Sequence, residues 1–398
     1  MKNFNLDSFS IDKRNWKKVR FGDVVYEPKE SVKDLIAEGV VHVVGLEHID
    51  PEATRLTRST GLEQSTTFTK KFTKGDVLFG RRRAYLKKAA QAEFEGVCSG
   101  DIIVMRASSE LSSKLLPFIV NNDKFFDFAI THSAGGLSPR VKFKDLANYE
   151  FLLPPKDEQE EVLKLLMSTS ELGHLKKKNI DKLDIFLKSF QKEYLNCGYG
   201  GKSAPLPDGW EVLKIKDFSK VQAGSTPLRS NKQFFEKGTI PWLKTLDLNN
   251  NSILNTKEKI TDLALEKTSC KVKPSGTVLV AMYGGFNQIG RTGLLEIPAA
   301  TNQAVSAIEV NKTIVNPRFL LYVLNARIEY WKKVAISSRK DPNITKDDVE
   351  NFPVSMPPLE KQNILVKKIA VILTALSSAQ EDMNAFHEFS RSLTAEVF

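Results

Sequence analysis

The chain is written twice, and that repetition restricts its fold more than any other feature of the sequence. "NWKKVRFGDVV" (15–25) returns as "GWEVLKIKDFS" (209–219), with Trp16 answering Trp210. "GLEHID" (45–50) returns as "TLDLNN" (245–250), and "KGDVLFG" (74–80) as "PSGTVLVA" (274–281), which aligns Gly75 with Gly276. "KDLANYEFLLPPKDEQ" (144–159) returns as "DDVENFPVSMPPLEKQ" (347–362). There Leu146 matches Val349, Asn148 matches Asn351, Pro154-Pro155 match Pro357-Pro358, and Gln159 matches Gln362. The separation stays at about 200 residues throughout. Two folding units of one plan are expected, an internal pseudo-twofold repeat; 398 residues are in any case too many for one core.

Each half closes in the same manner. Pro-Pro stops an extended segment, because proline cannot donate to a ladder and biases the residue before it away from the helix. A long helical pattern then begins. In the first half Ile180, Leu183, Leu187, Phe190 and Tyr194 recur at spacings of three and four, with Val162, Leu166 and Leu172 upstream. In the second, Ile369, Ile372, Leu376, Ala379, Met383, Phe386, Leu393 and Val397 hold the same heptad. A stripe on a helix of roughly 40 residues, about 60 Å long, reads as a coiled-coil seam. Two seams in one chain pair most simply with each other, antiparallel. In the competing arrangement each helix packs only on its own domain, which does not account for two stripes of such similar length. The glycine- and proline-rich "NCGYGGKSAPLPDGW" (196–210) reads as a linker or turn. The expected layout is a domain over 1–155, a long helix over 156–196, a linker over 197–207, a second domain over 208–357 and a second long helix over 358–398.

Within the domains "GVVHVVGL", "GDIIVM", "GTVLVAM" and "QAVSAIEV" read as strands. "LPFIVNNDKFFDFAI" and "NPRFLLYVLNARIEYWKKV" read as amphipathic helices opened by proline. Strands follow one another with few regular βαβ alternations, so each domain is mixed and the class is α+β.

Little in the sequence resembles catalytic machinery. "TIVNPRFLLY" (313–322) resembles the Asn-Pro-Pro-aromatic motif of amino-methyltransferases, but Arg318 replaces the second proline and the equivalent in the first half has Leu116 where Asn316 stands. Asn as N-cap and Pro as first helical residue explain the segment. "YGGFNQIGRTG" (283–293) lacks GxGxxG spacing and precedes another strand, so a hairpin or binding loop is expected there instead of a phosphate cradle. His42, His48, His132, His174 and His387 form no metal-ligand spacing. Cys98, Cys197 and Cys270 form no CxxC, which fits a reducing cytoplasm. The polar start has no signal-peptide core, and no apolar run approaches the roughly 18 residues needed to cross a bilayer. The expectation is a cytoplasmic binding protein without catalytic residues or metal.

The partner is suggested by charge. Lys plus Arg number 58 against 48 Asp plus Glu, a net +10, which favours a polyanion. The charge concentrates in "GRRRAYLKK" (80–88), where Arg81, Arg82, Arg83, Lys87 and Lys88, with Lys74 upstream, surround Tyr85. One reading is a solvated hairpin end whose charges keep a strand edge from aggregating. The other is a DNA-contacting loop, since arginine forks match guanine edges or straddle phosphates. At the matching place in the second half stand Tyr283, Asn287, Gln288 and Arg291. Further candidates are Arg140 in "SAGGLSPRVKF", Ser225, Thr226 and Arg229 in "QAGSTPLRS", and Arg339, Lys340 and Asn343 in "SSRKDPNIT". Two domains with a common frame and different loops would read two different base sequences.

Taken in order, the segments resemble the specificity subunit of type I restriction–modification systems, from about residue 16 to the end. "GLEHID", "GDVLFGRRRAYLKK", "GVCSGDIIVM" and "GGLSPRVKF" are similar to that family's target-recognition domain. So, in the second half, are "GSTP", "IPWLKTLDL", "IGRTGLL", "TNQAV", "NIT" and "PPLEKQ". Ala84 stands where this subclass often has proline, and Asp341-Pro342 where a glutamine is common. The resemblance implies two target-recognition domains, each entering the major groove of double-stranded DNA at one half of a bipartite, asymmetric site. The antiparallel helices would set the unread spacer. It also implies a chain with no activity and no cofactor of its own. Its partners would be two modification subunits, which carry S-adenosylmethionine and methylate adenine, and through them restriction subunits that use ATP and Mg²⁺ to translocate and cleave DNA. The free helix surfaces in 156–196 and 358–398 would dock the modification subunits.

Overall fold

The computed structural model describes residues 11–63, 66–195, 206–285, 287–335 and 343–398. The chain divides into two compact units. One holds the residues up to Lys178 together with Gln380–Phe398, and the other runs from Asn179 to Ala379. Two 39-residue helices, Lys156–Tyr194 and Leu359–Val397, contribute to both, because the division passes near the middle of each. Of the expected linker, only Leu206 and Pro207 fall within the described residues.

Both units carry a five-stranded sheet of one topology. In the first its order is Val25–Tyr26, Ile102–Ala107, Val77–Gly80, Ala89–Ala92, Arg55–Leu56. In the second it is Ser219–Ala223, Val305–Val310, Val278–Ala281, Thr292–Leu295, Ser252–Ile253. In each, the first four strands are antiparallel neighbours and the last edge strand runs parallel to its partner. Val77, Leu78 and Phe79, like Val278, Leu279 and Val280, are buried on both faces, which is why these strands read as unbroken apolar runs. Gly75 and Gly276 open the same turn with φ of 95° and 89°, a region where a side chain is strained. Their amides make the matching bonds, to Ala92 O at 2.9 Å and to Leu295 O at 2.7 Å.

The accompanying three-stranded sheets are less alike. In the first unit Gly96–Cys98 is central, parallel to Val43–Val44 and antiparallel to Lys70–Phe72. In the second Ile240–Leu243 is central, parallel to Ala300–Thr301 and antiparallel to Glu258–Ile260. The segment before the middle hairpin has changed partner between the repeats. "GVVHVVGL" keeps only Val43–Val44 as strand, matching its short partner.

Both expected helices are broken. The first becomes Leu116–Val120 and Asp123–Thr131, because the Asn122 side chain accepts from Lys124 N at 2.9 Å and caps a new start. The second becomes Pro317–Ala326 and Ile328–Val334, with the break at Arg327, whose φ of −118° is not helical.

On the first long helix Leu187 is buried, and Ile180, Leu183, Phe190 and Tyr194 are partly so. On the second, Ile369, Ile372, Leu393 and Val397 are buried, and Leu376, Ala379, Met383 and Phe386 partly. Leu172 does not belong to the stripe: it is 47 % exposed, and the inward face runs through Thr169 and Gly173. A Cβ at Gly173 would lie 2.7 Å from the Phe386 ring, so glycine lets that ring close on the helix. In the first unit Leu163 and Leu166 share a core with Leu393 and Val397. In the second Leu187 and Leu195 share one with Leu365, Ile369 and Ile372. The start of one helix shares a core with the end of the other in both units, which is antiparallel pairing. This second helix also corrects the bilayer expectation, since by length and composition alone it is apolar enough to cross a membrane. That apolarity combines buried Ile369 and Ile372 with the exposed Ile364 and Val371.

Candidate nucleic-acid interface

Both candidate loops are the hairpin joining the middle strands of a five-stranded sheet: Val77–Gly80 to Ala89–Ala92, and Val278–Ala281 to Thr292–Leu295. In the first unit Gly80 N donates to Lys88 O at 2.8 Å and closes the loop. Lys74 does not join the cluster, because it sits at the other end of the strand, on a small cleft with Lys71 and Glu95.

The basic residues divide into two groups. Arg81 donates from its backbone to Asp101 O at 2.9 Å and from Nε to Val141 O at 3.1 Å. Arg82 donates to Ser138 Oγ at 2.7 Å and lies 3.5 Å from the Asp101 carboxylate. Arg140 reaches the same carboxylate at 2.7 and 3.3 Å. Hydrogen bonding from Arg140 holds the Asp101 carboxyl below its ordinary range, assisted by the charges of Arg140 and Arg82. Ala134 and Arg140 exchange backbone bonds of 3.0 and 2.9 Å, so segment 133–143 is itself a small hairpin with Leu137 at its tip, 99 % exposed. Arg82 and Arg140 thus join two loops around the Asp101 carboxylate, and Arg81 adds bonds to the main-chain oxygens of Asp101 and Val141.

The second group is the outer tip. Arg83 and Lys87, both left-handed at φ of 55° and 49°, flank the short turn Ala84–Leu86. Tyr85 and Leu86 point outward, 53 % and 42 % exposed, and Arg83 is exposed beside them. The tip is well anchored. Arg83 N donates to Pro139 O at 2.9 Å, Lys88 Nζ donates to Leu46 O at 2.6 Å, and Lys87 pairs with Asp123.

The second unit repeats the frame with other chemistry. Ile344 N donates to Met282 O at 3.0 Å, where Val141 N donates to Arg81 O at 3.1 Å. Tyr283 and Asn287 are exposed, and Gln288 and Arg291 are partly so. Gly290 adopts φ of 77°, and a Cβ there would also meet Trp331 at 2.4 Å, so glycine is required on both counts. Arg339 and Lys340 lie outside the described residues; Asn343 is partly buried.

Ser225, Thr226 and Arg229 form a neighbouring patch. Ser225 Oγ is 2.9 Å from Ser269 Oγ, and Thr226 donates to Gln303, one residue before the Ala304 carbonyl that accepts from Met282 N. Arg229 is already engaged: its guanidinium lies 4.8 Å from the centroids of both Phe235 and Trp242 and bonds Glu258 at 2.5 Å. Glu258 also pairs with Lys244, and these cations, Arg229 foremost, lower its pKa. Sequence reading missed Asp101, Leu137, Glu258 and Lys244. No local pattern marks Asp101, Glu258 or Lys244, because their partners come from other segments, and Leu137 stands out only by its exposure.

The remaining candidate chemistry is structural. Asn316 accepts from Arg318 N at 2.9 Å and Phe319 N at 3.4 Å, an N-cap. Cys98 and Cys270 are buried free thiols, and burial pushes Cys98 up to about 12. Among the described residues no group of three or more His, Cys, Asp and Glu side chains could hold a metal ion.

A family model for the type I restriction modification DNA specificity domain matches this chain twice, over residues 13–185 and 207–385. The MjaIX specificity subunit of Methanocaldococcus jannaschii, a type I restriction enzyme subunit, is 28 % identical over 48 % of this chain and 44 % of its own length. The MjaVIII specificity subunit of the same organism is 25 % identical over 70 % and 68 %. The EcoR124I/EcoR124II specificity subunit of Escherichia coli is 20 % identical over 44 % and 43 %. The chain thus spans about half the length of several curated relatives that it matches. Solved structures share its fold along most of their length. The HsdS subunit from Thermoanaerobacter tengcongensis superposes with a TM-score of 0.51 at 20 % identity, covering 98 % of both chains. The S subunit from M. genitalium gives 0.53 at 13 %, covering 98 % of this chain and 97 % of its own.

Proposed function

Since the chain belongs to the type I restriction modification DNA specificity family, we propose that it is the DNA-reading subunit of such an enzyme. It reads a bipartite, asymmetric site with one half-site per unit. The observation that carries this reading is the pair of hairpins at one position of one sheet topology. One is cationic, with Arg81, Arg82, Arg83, Tyr85 and Lys88; the other is rich in amides, with Tyr283, Asn287, Gln288 and Arg291. A shared frame with different side chains suits two heads that approach DNA alike and recognise different bases.

The chain performs no chemistry itself. Two modification subunits dock on the outward faces of the long helices, where Leu172, Leu175, Ile185, Phe186, Ile364 and Val371 are exposed. They supply S-adenosylmethionine and methylate adenine, and restriction subunits joined through them use ATP and Mg²⁺. The setting is the cytoplasm, consistent with buried, unpaired thiols.

The test is methyl transfer from labelled S-adenosylmethionine to DNA. The chain co-purified with its modification subunits is expected to label DNA only when both half-sites are present, and the chain alone to label none. Transfer by the chain alone would mean a self-sufficient methyltransferase instead.

A further inference from the structure

The first turn of each long helix carries a glutamine with no room to be ornamental. Gln159 is 4 % exposed and Gln362 is fully buried. Each side-chain amide joins its head to its helix through the same three bonds. Gln159 Nε2 donates to Pro154 O at 3.1 Å and Glu110 O at 2.9 Å, while Oε1 accepts from Ser112 N at 2.8 Å. Gln362 Nε2 donates to Pro357 O and Ile314 O, both at 2.9 Å, while Oε1 accepts from Asn316 N at 2.8 Å.

The geometry is that of a bridge. In each unit the amide meets a carbonyl and the N–H two residues further on, as a strand would, in the segment entering the short helix Leu116–Val120 or Pro317–Ala326. The third bond reaches back to the Pro-Pro stop, where the last strand of the head, Glu150–Leu153 or Pro353–Met356, gives way to the helix. A structural amide could satisfy these groups in many ways. That both units use one residue, one bond pattern and one junction indicates that the junction's angle is what is being held.

We propose that Gln159 and Gln362 are positioning residues that lock each head to its helix and thereby set which spacer lengths the chain accepts between half-sites. The proposal rests on the bipartite reading above. A loose junction would let a head swing and tolerate neighbouring spacers, while the hairpins that choose the bases stay intact.

The experiment uses the full chain in complex with its modification subunits, carrying Gln159→Met or Gln362→Met, which keep volume but lose both polar ends. Methyl transfer is compared on duplexes with the native spacer and with spacers one base pair shorter or longer. A control variant, Leu146→Ala in the first core or Val349→Ala in the second, is chosen to match the loss in Tm. The expected result is that discrimination against the wrong spacers falls about tenfold in either glutamine variant, with half-site sequence preference unchanged. Unchanged spacer discrimination overturns the proposal, as does an equal fall in the matched control, which would make the glutamines ordinary core groups. If one variant fails to fold, the other head's variant decides. A wild-type complex indifferent to spacer length overturns both the proposal and the bipartite reading, whereas failure confined to the variants leaves the reading standing.

Discussion

At the scale of single residues, the arginines of the first hairpin are not equivalent. Arg81 ties two loops with its Nε–Val141 bond, whereas Arg83 is exposed at the tip. Arg83→Ala is expected to weaken DNA binding by the assembled complex while leaving Tm nearly unchanged. Arg81→Ala is expected to cost about 1 kcal/mol of stability as well, through the lost bond. Thermal melts beside titrations on DNA altered at one half-site at a time separate the two effects. An equal loss on every sequence would mark these side chains as phosphate contacts. The Asp101 carboxyl has its own pH signature. Its folded pKa lies below the unfolded value, so its contribution is present above the unfolded pKa and is lost as pH falls through the folded one. Stability from this group should be flat from pH 8 to 5 and decline below about 4. Asp101→Asn should flatten that acid limb in urea melts.

Among the elements, the end of each five-stranded sheet opposite the candidate hairpin shows how one frame tolerates different chemistry. In the first unit Asp76, 1 % exposed, receives Arg106 at 2.6 and 2.8 Å and accepts from Thr73 N at 2.8 Å. In the second, Glu309 stands at the place of Arg106 in its strand and pairs with Lys273, a residue outside the strands, at 2.9 Å, so acid and base are exchanged. Removing Asp76 leaves the Thr73 N–H without its acceptor, while the partly exposed Arg106 keeps Glu30 at 2.9 Å. Asp76→Ala is therefore expected to cost about 2 kcal/mol through lost hydrogen bonds to a charged group, measured by chemical denaturation. The patch around Arg229 follows the same logic. An arginine held by Glu258 and two aromatic rings shapes the loop before it can contact a ligand.

For the molecule as a whole, the two long helices are shared property, each contributing its halves to different compact units. If the reading above holds, helix length governs spacer length. Inserting one heptad into both helices keeps the seam in phase and adds about 10 Å. At roughly 3.4 Å per base pair, that should lengthen the preferred spacer by about three base pairs. Mapping methylated adenines in cells carrying the insertion checks this. The two half-site sequences should be unchanged, and a change in either would refute the ruler.

Periodicity and repetition were legible without coordinates, because both are local: heptads show wherever apolar residues recur, and a duplicated plan shows wherever its turns and Pro-Pro stops recur. From them came the two units, the long helices and the matched hairpins, while the N-cap at Asn316 came from the adjacent proline. The sequence could not show that Leu172 faces outward while Gly173 admits Phe386, that Lys74 stands apart from the arginines, or that two helices break at Asn122 and Arg327. It paired Gln159 with Gln362 but not with their carbonyls. Each of these depends on which distant backbone arrives at a given side chain, and a burial or a bond made across long loops leaves no period in the chain that makes it.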